Sequence, residues 1–136
     1  MTIKKIKPLF TKIVTTMDKY EEDELLGTSI IDSSKTQGTM KDIQKVVSVG
    51  SSVRDIKEGD YVKINPLRYA VRKNVPNSVR NDLMENKIIG FDIPQVEING
   101  VIHLLVEDRD IEYIVEEYEE DKPSKIIHTE PKIILN

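Results

Sequence analysis

Two histidines, His103 and His128, are the only side chains here whose ordinary pKa suits proton transfer near neutral pH. They stand far apart. His103 lies in the apolar run "VIHLLVE", where a histidine reads as a hydrogen-bonded structural residue rather than a base or a metal ligand. His128 lies in a proline-flanked tail. The chain has no cysteine, so it offers neither a thiol nucleophile nor a Cys/His spacing for zinc. Ser29, Ser33 and Ser34 cluster without a base near them in sequence, and read as a polar loop. The 24 acidic residues are spread over charged stretches and are expected to be solvated rather than paired as acid and base. No GxxxxGK[ST] or GxGxxG pattern is present to cradle phosphate. The sequence therefore assigns no catalytic, cofactor-binding or metal-ligating residue, predicts no cofactor, and argues against an enzyme.

Binding is what remains, and one stretch raises it directly. In "GTSIIDSSKTQGTMKDIQ", Gly27 to Gln44, eight of the thirteen residues from Gly27 to Thr39 are Gly, Ser or Thr. Such a stretch is expected to be a mobile loop, yet Ile30 and Ile31 sit inside it. A polar loop with a short apolar anchor suits coupled folding and binding: the loop supplies reach, and the anchor fills a groove on a partner. The contact stays weak because ordering the loop costs free energy. It becomes useful when an oligomer presents several copies together. The blander reading is that the two isoleucines tuck onto the protein's own surface.

The elements that must carry this loop read as strands. At 136 residues the chain is expected to form one domain with a real core. Hydrophobic residues make up 38%, and there are five Tyr, two Phe and no Trp, which suits a small barrel or sandwich with exposed appendages. Net charge is −4, so nothing points to nucleic acid. No apolar run approaches the ~20 residues a membrane helix needs. "MTIKKIKPLF" has no apolar stretch of the signal-peptide kind. A cysteine-free chain suits a reducing compartment, and the cytoplasm is the expected location.

Strands are expected at Leu9–Thr16, Lys45–Gly50 and Tyr61–Ile64, with a turn at Glu58-Gly59-Asp60. Two more, Gln95–Ile98 and Val101–Val106, flank Asn99-Gly100, the pair that a type I′ hairpin turn requires. One helical turn is expected around Val79 to Met84. "DRDIEYIVEEYEED" is ambiguous. Ile111, Ile114, Val115 and Tyr118 have helical spacing, but "IEYIV" also suits a short strand. Nine of the fifteen residues from Glu107 to Asp121 are acidic. Short strands with turn signals predict an all-β fold.

These landmarks resemble those of the GroES-type co-chaperonins, the ring-forming lids of barrel chaperonins. "IKPLFTKIVTT" is similar to the family's opening strand motif, and "KVVSVG" to the strand after its mobile loop. "IKEGDYVKIN" is similar to the pattern V-K-x-G-D-x-V-x-F-N. "RYAV" stands where a G-Y-G-V segment often follows. "EINGVIHLLVEDRDIEYIVEE" resembles the closing hairpin and its D-I-x-x-I-V ending. The pieces follow in order over about two-thirds of the chain.

The resemblance implies a GroES-like small β-barrel over residues 1–118, with a mobile loop at 25–44. It implies a turn near Asp110-Ile111 followed by a strand, rather than the helix of the periodicity. Gly27 aligns with a loop glycine, and Ser29, Ile30 and Ile31 fall on the tripeptide that docks on the chaperonin. Ser29 stands where the family has an apolar residue, and Leu25 and Leu26 are alternative anchors. Residues 72–94 read as an insertion near the roof hairpin and 119–136 as a C-terminal extension, features reminiscent of phage-encoded co-chaperonins. The implied partner is a GroEL-type chaperonin. The implied assembly is a homo-oligomeric ring, a heptamer in the family. Its subunit interface would use Leu9 and Ile13 of the first strand and Ile111, Ile114 and Val115 of the last. A competing reading is a structural virion or assembly protein of a phage on the same fold, clamping its neighbours with the loop and extensions.

Overall fold

A computed structural model of the chain describes residues 1–20, 39–77, 79–80 and 83–120. The fold is all-β. Its strands are β1 (Lys12–Thr16), β2 (Ile43–Val49), β3 (Tyr61–Ile64), β4 (Ala70–Pro76), β5 (Met84–Phe91), β6 (Gln95–Ile98), β7 (Val101–Glu107) and β8 (Ile111–Val115). Two 3₁₀ turns, Pro66–Tyr69 and Asp108–Asp110, precede β4 and β8. Among the described residues no helix is long and apolar enough to cross a membrane.

Six strands form one antiparallel sheet in the order β6-β7-β1-β2-β3-β8, and β4 and β5 form a separate hairpin. Asn99 and Gly100 both take positive φ, 51° and 79°, which lets β6 turn into β7 in two residues. Gly59, at φ 92°, makes the expected turn before β3. Gly50 answers a different need. A Cβ there would lie 2.2 Å from the Phe10 carbonyl oxygen, so only glycine lets the end of β2 pass that backbone.

β1 is the middle of the sheet. Ile13 faces Val49 of β2 and Val106 of β7, so both edges of β1 are hydrogen-bonded within the chain. The first strand therefore has no edge to lend a neighbour between Lys12 and Thr16. The core gathers Ile13, Val46, Val62, Ile64, Ile93, Leu104 and Val106, with Ile111 and Ile114 packed against it.

The acidic segment resolves into a turn and a strand, and a bulge explains its helix-like spacing. Tyr113 pairs with Lys63 but Ile111 pairs with Ile64, so one residue of β8 is extra. An inserted residue brings positions three apart onto one face. Ile111 and Ile114 both reach the core, while Tyr113 is exposed.

Of the helical turn expected around Val79 to Met84, residues 81 and 82 lie outside the described residues; Leu83 N donates to Arg80 O at 3.0 Å, and Met84 already belongs to β5, where it pairs with Pro76. The β4–β5 ribbon stands away from the core with most of its side chains exposed on both faces. Neither face had to be apolar, so the sequence carries no strict alternation to betray the strands.

Candidate functional site

The described chain stops at Tyr20 and resumes at Thr39, and these two residues lie side by side. Tyr20 N donates to Thr39 O at 2.9 Å, Lys41 N donates to Asp18 O at 2.9 Å, and Lys19 and Met40 form a bridge. The Lys41 ammonium also lies 5.8 Å from the centre of the Tyr20 ring, bracing the pair from outside.

Behind this neck sits Gln44, fully buried at the start of β2. Its Oε1 accepts from Thr16 Oγ1 at 2.9 Å and from the Asp18 backbone N–H at 2.8 Å. Its Nε2 donates to the carbonyls of Asp18 at 3.0 Å and Lys41 at 2.8 Å. Every donor and acceptor of one amide is thus spent on holding the two sides of the neck together. Burying such a group is favourable only when it is satisfied in this way. The neck holds no reactive group. What it can do is fix both ends of the segment between them at one place on the sheet.

A second cluster lies beyond the end of β3. Ile64 N donates to Asp42 O at 3.0 Å, joining the end of β3 to the residue before β2. Just beyond, Arg68 and Tyr69 lead into the hairpin, and both reach Asp110, which is 3% exposed. Arg68 Nε donates to Oδ1 at 2.9 Å and Nη2 to Oδ2 at 2.8 Å, a bidentate pair. Tyr69 Oη donates to Oδ2 at 2.6 Å, and the Glu107 backbone N–H donates at 3.0 Å. The guanidinium also lies over the Tyr69 ring, 4.5 Å from its centre.

Burial pushes the Asp110 carboxyl up, but the hydrogen bonds from Arg68 and Tyr69 outweigh it and hold it below the ordinary value. The same bond to Asp110 keeps the Arg68 guanidinium charged more firmly than usual. Burial, then the bond to Asp110, raises the Tyr69 phenol. Glu107, pushed up by desolvation, is pulled below its ordinary value by Lys12 and Arg109.

Asp110 corrects the expectation that the carboxylates are all solvated. The signal available was local: Glu107 and Asp110 are three apart ahead of an apolar run, the spacing of a capping box, and Asp110 does accept from the Glu107 N–H. Arg68 and Tyr69 as its partners had no local signal.

A scan against protein-family models finds no match to this chain, and a search of the curated proteins finds no relative.

Of the residues singled out in the sequence, Leu25, Leu26, Gly27, Ser29, Ile30 and Ile31 lie outside the described residues, as do Ser33, Ser34 and His128. The fold places the neck directly at the two ends of that segment. Leu9 is 58% exposed, whereas Ile13 is fully buried in the protomer's own core and presents no surface to a neighbour. Ile111, Ile114 and Val115 are half-buried on β8, whose outer edge pairs with no strand among the described residues. His103 is half-buried on β7, with Nδ1 2.9 Å from the Val101 carbonyl oxygen that accepts from it.

Proposed function

We propose that this protein is a co-chaperonin: a ring-forming, GroES-like small barrel that caps a GroEL-type chaperonin through the loop between its first two strands. The observation that carries the reading is the neck. A loop that captures a partner needs a fixed root, and Gln44 spends its whole amide on making one where the resemblance puts the loop. The order of elements supports it too. The opening strand, the strand ending in Val49-Gly50, the G-D-x-V strand, the closing hairpin and the D-I turn with its strand follow one another as the resemblance implies.

In this reading Ile30 and Ile31 fill an apolar groove on the chaperonin, with Ser29 beside them and Leu25 and Leu26 as the anchor of a shifted register. Burying one isoleucine contributes roughly 1.5–3 kcal/mol. A ring of seven multiplies that small contribution across its subunits, so capture is firm while each contact stays reversible. The protein itself binds no nucleotide; ATP acts on the chaperonin. Because β1 is enclosed, the subunits join through Leu9 and the residues before β1 on one side and the outer edge of β8 on the other, which also covers an open strand edge.

The test is co-sedimentation of the full chain with a GroEL-type chaperonin, with and without ATP. The double substitution Ile30→Ser, Ile31→Ser is expected to abolish capture and leave the melting temperature unchanged. Ser29→Val is expected to tighten capture. A fall of several degrees in melting temperature for the double variant would remove the anchor role, since it would place the two isoleucines in the protein's own core. Absence of capture by the unaltered chain would leave the assembly-protein reading in its place.

A further inference from the structure

The β4–β5 hairpin is anchored at its base by the Pro66–Tyr69 turn and by Asp92 N, which donates to Tyr69 O at 2.8 Å. Beyond that base its strands pair only with each other among the described residues. An isolated two-stranded ribbon is marginal in water. This one nevertheless exposes Val71, Ile88, Ile89 and Phe91 by 39% to 58%. Exposed apolar side chains gathered on one element mark an interaction surface.

The charge on the ribbon narrows the partner. Its strands carry Arg72, Lys73 and Lys87 against the single acid Glu85, which Lys87 pairs at 3.3 Å. Arg72 and Lys73 make no ion pair among the described residues. The complement lies at the other end of β3 in the same chain. β8 runs antiparallel to β3, with Ile111 opposite Ile64 and Val115 opposite Tyr61. The hairpin leaves beyond Ile64, while residues 116–120 continue past Tyr61. That segment is exposed and carries Glu116, Glu117, Glu119 and Glu120, none in an ion pair among the described residues. Between them Tyr118, 59% exposed, leans edge-on against Tyr61 with ring centres 5.3 Å apart. The acidic segment thus carries an aromatic side chain, and the basic ribbon carries exposed apolar ones.

We infer that the β4–β5 hairpin of one copy docks head to tail on the acidic 116–120 segment of a second copy. Packing hairpin on hairpin about a two-fold axis would set Arg72 and Lys73 against their own counterparts, which like charge disfavours. Head-to-tail contact sets unlike charges together and covers Ile88 and Phe91, which share a face of the ribbon with Arg72, with Tyr118. A hairpin strand of this length spans roughly 23 Å and a four-residue strand only about 13 Å, so the ribbon is long enough to pass the length of a neighbour's β3. A contact of this heterologous kind closes into a ring or propagates as a filament. It uses neither the loop nor a chaperonin, and holds whether or not the chain caps one.

The chain has no cysteine, which makes a disulfide test clean. Lys73→Cys and Glu117→Cys change exposed positions, and each full-length single variant is first checked for an unchanged circular dichroism spectrum. Mixed and mildly oxidised, the two single variants are expected to give a linked dimer. Lys73→Cys alone is expected to stay unlinked. In sedimentation, Arg72→Glu with Lys73→Glu is expected to weaken self-association roughly tenfold. Adding Glu116→Lys with Glu117→Lys is expected to restore it. The inference is overturned by a Lys73→Cys self-linked dimer, by no cross-link in the mixture, by a wild-type chain that sediments as a monomer at micromolar concentration, or by association that charge reversal leaves unmoved.

Discussion

Protonating Asp110 weakens four hydrogen-bond acceptances at once: two from Arg68, one from Tyr69 and one from the Glu107 backbone. The folded state holds this carboxyl below its ordinary value, so the unfolded state takes up the proton first as pH falls. Its stabilisation is therefore present above the unfolded value of roughly 3.9 and is lost as pH drops through the folded one. Asp110→Asn keeps the shape and removes the charge. It is expected to cost about 1–3 kcal/mol at neutral pH, read as a fall of several degrees in melting temperature. It is also expected to flatten the acid limb of the stability–pH curve, as followed by chemical denaturation between pH 7 and pH 3. An unchanged acid limb would mean that another carboxylate carries the acid sensitivity. Gln44 poses the opposite kind of problem. It has no charge to titrate, and its importance is geometric, since Thr16, Asp18 and Lys41 all lean on its one amide.

Among the elements, the hairpin and the sheet divide stability from interaction. The buried apolar residues come from β1, β2, β3, β7 and the Ile93 link, and none from β4 or β5. Replacing residues 71–90 by a two-glycine link, with Ala70 and Phe91 kept, is therefore expected to leave the melting temperature within a few degrees of the full chain, as followed by circular dichroism. Unfolding of that variant at room temperature would show that the hairpin braces the core. The last strand teaches a related lesson. Its isoleucines are spaced as in a helix, yet a bulge and pairing with β3 make the same spacing serve a strand.

At the scale of the whole molecule, the sheet ends in two edges, β6 and β8, that pair with no further strand among the described residues. Open edges invite pairing with another chain. Under the co-chaperonin reading the native mass of the full chain is expected to be that of a heptamer, measured by native mass spectrometry at micromolar concentration. A stable monomer there would count against both the ring and the use of β8 as its seam. Along β3 the hairpin leaves beyond Ile64 and the acidic segment lies past Tyr61, at the opposite end of that strand.

Several features needed only neighbouring residues, and these were legible in the sequence. Asn99-Gly100 declares a hairpin because both positions need positive φ, and Gly59 declares its turn for a similar reason. β-branched runs between such turns declare strands, so the all-β class and most strand positions follow from local chemistry. Other features depend on residues far apart in the chain. Asp110 became a buried acid only when Arg68 was brought to it across the sheet. Ile13 became core rather than seam because β2 and β7 flank β1 on both sides. The hairpin strands stayed hidden because an element open to water on both faces has no reason to alternate. Local propensity selects the elements, and long-range pairing selects which of their faces and edges are left for anything else to bind.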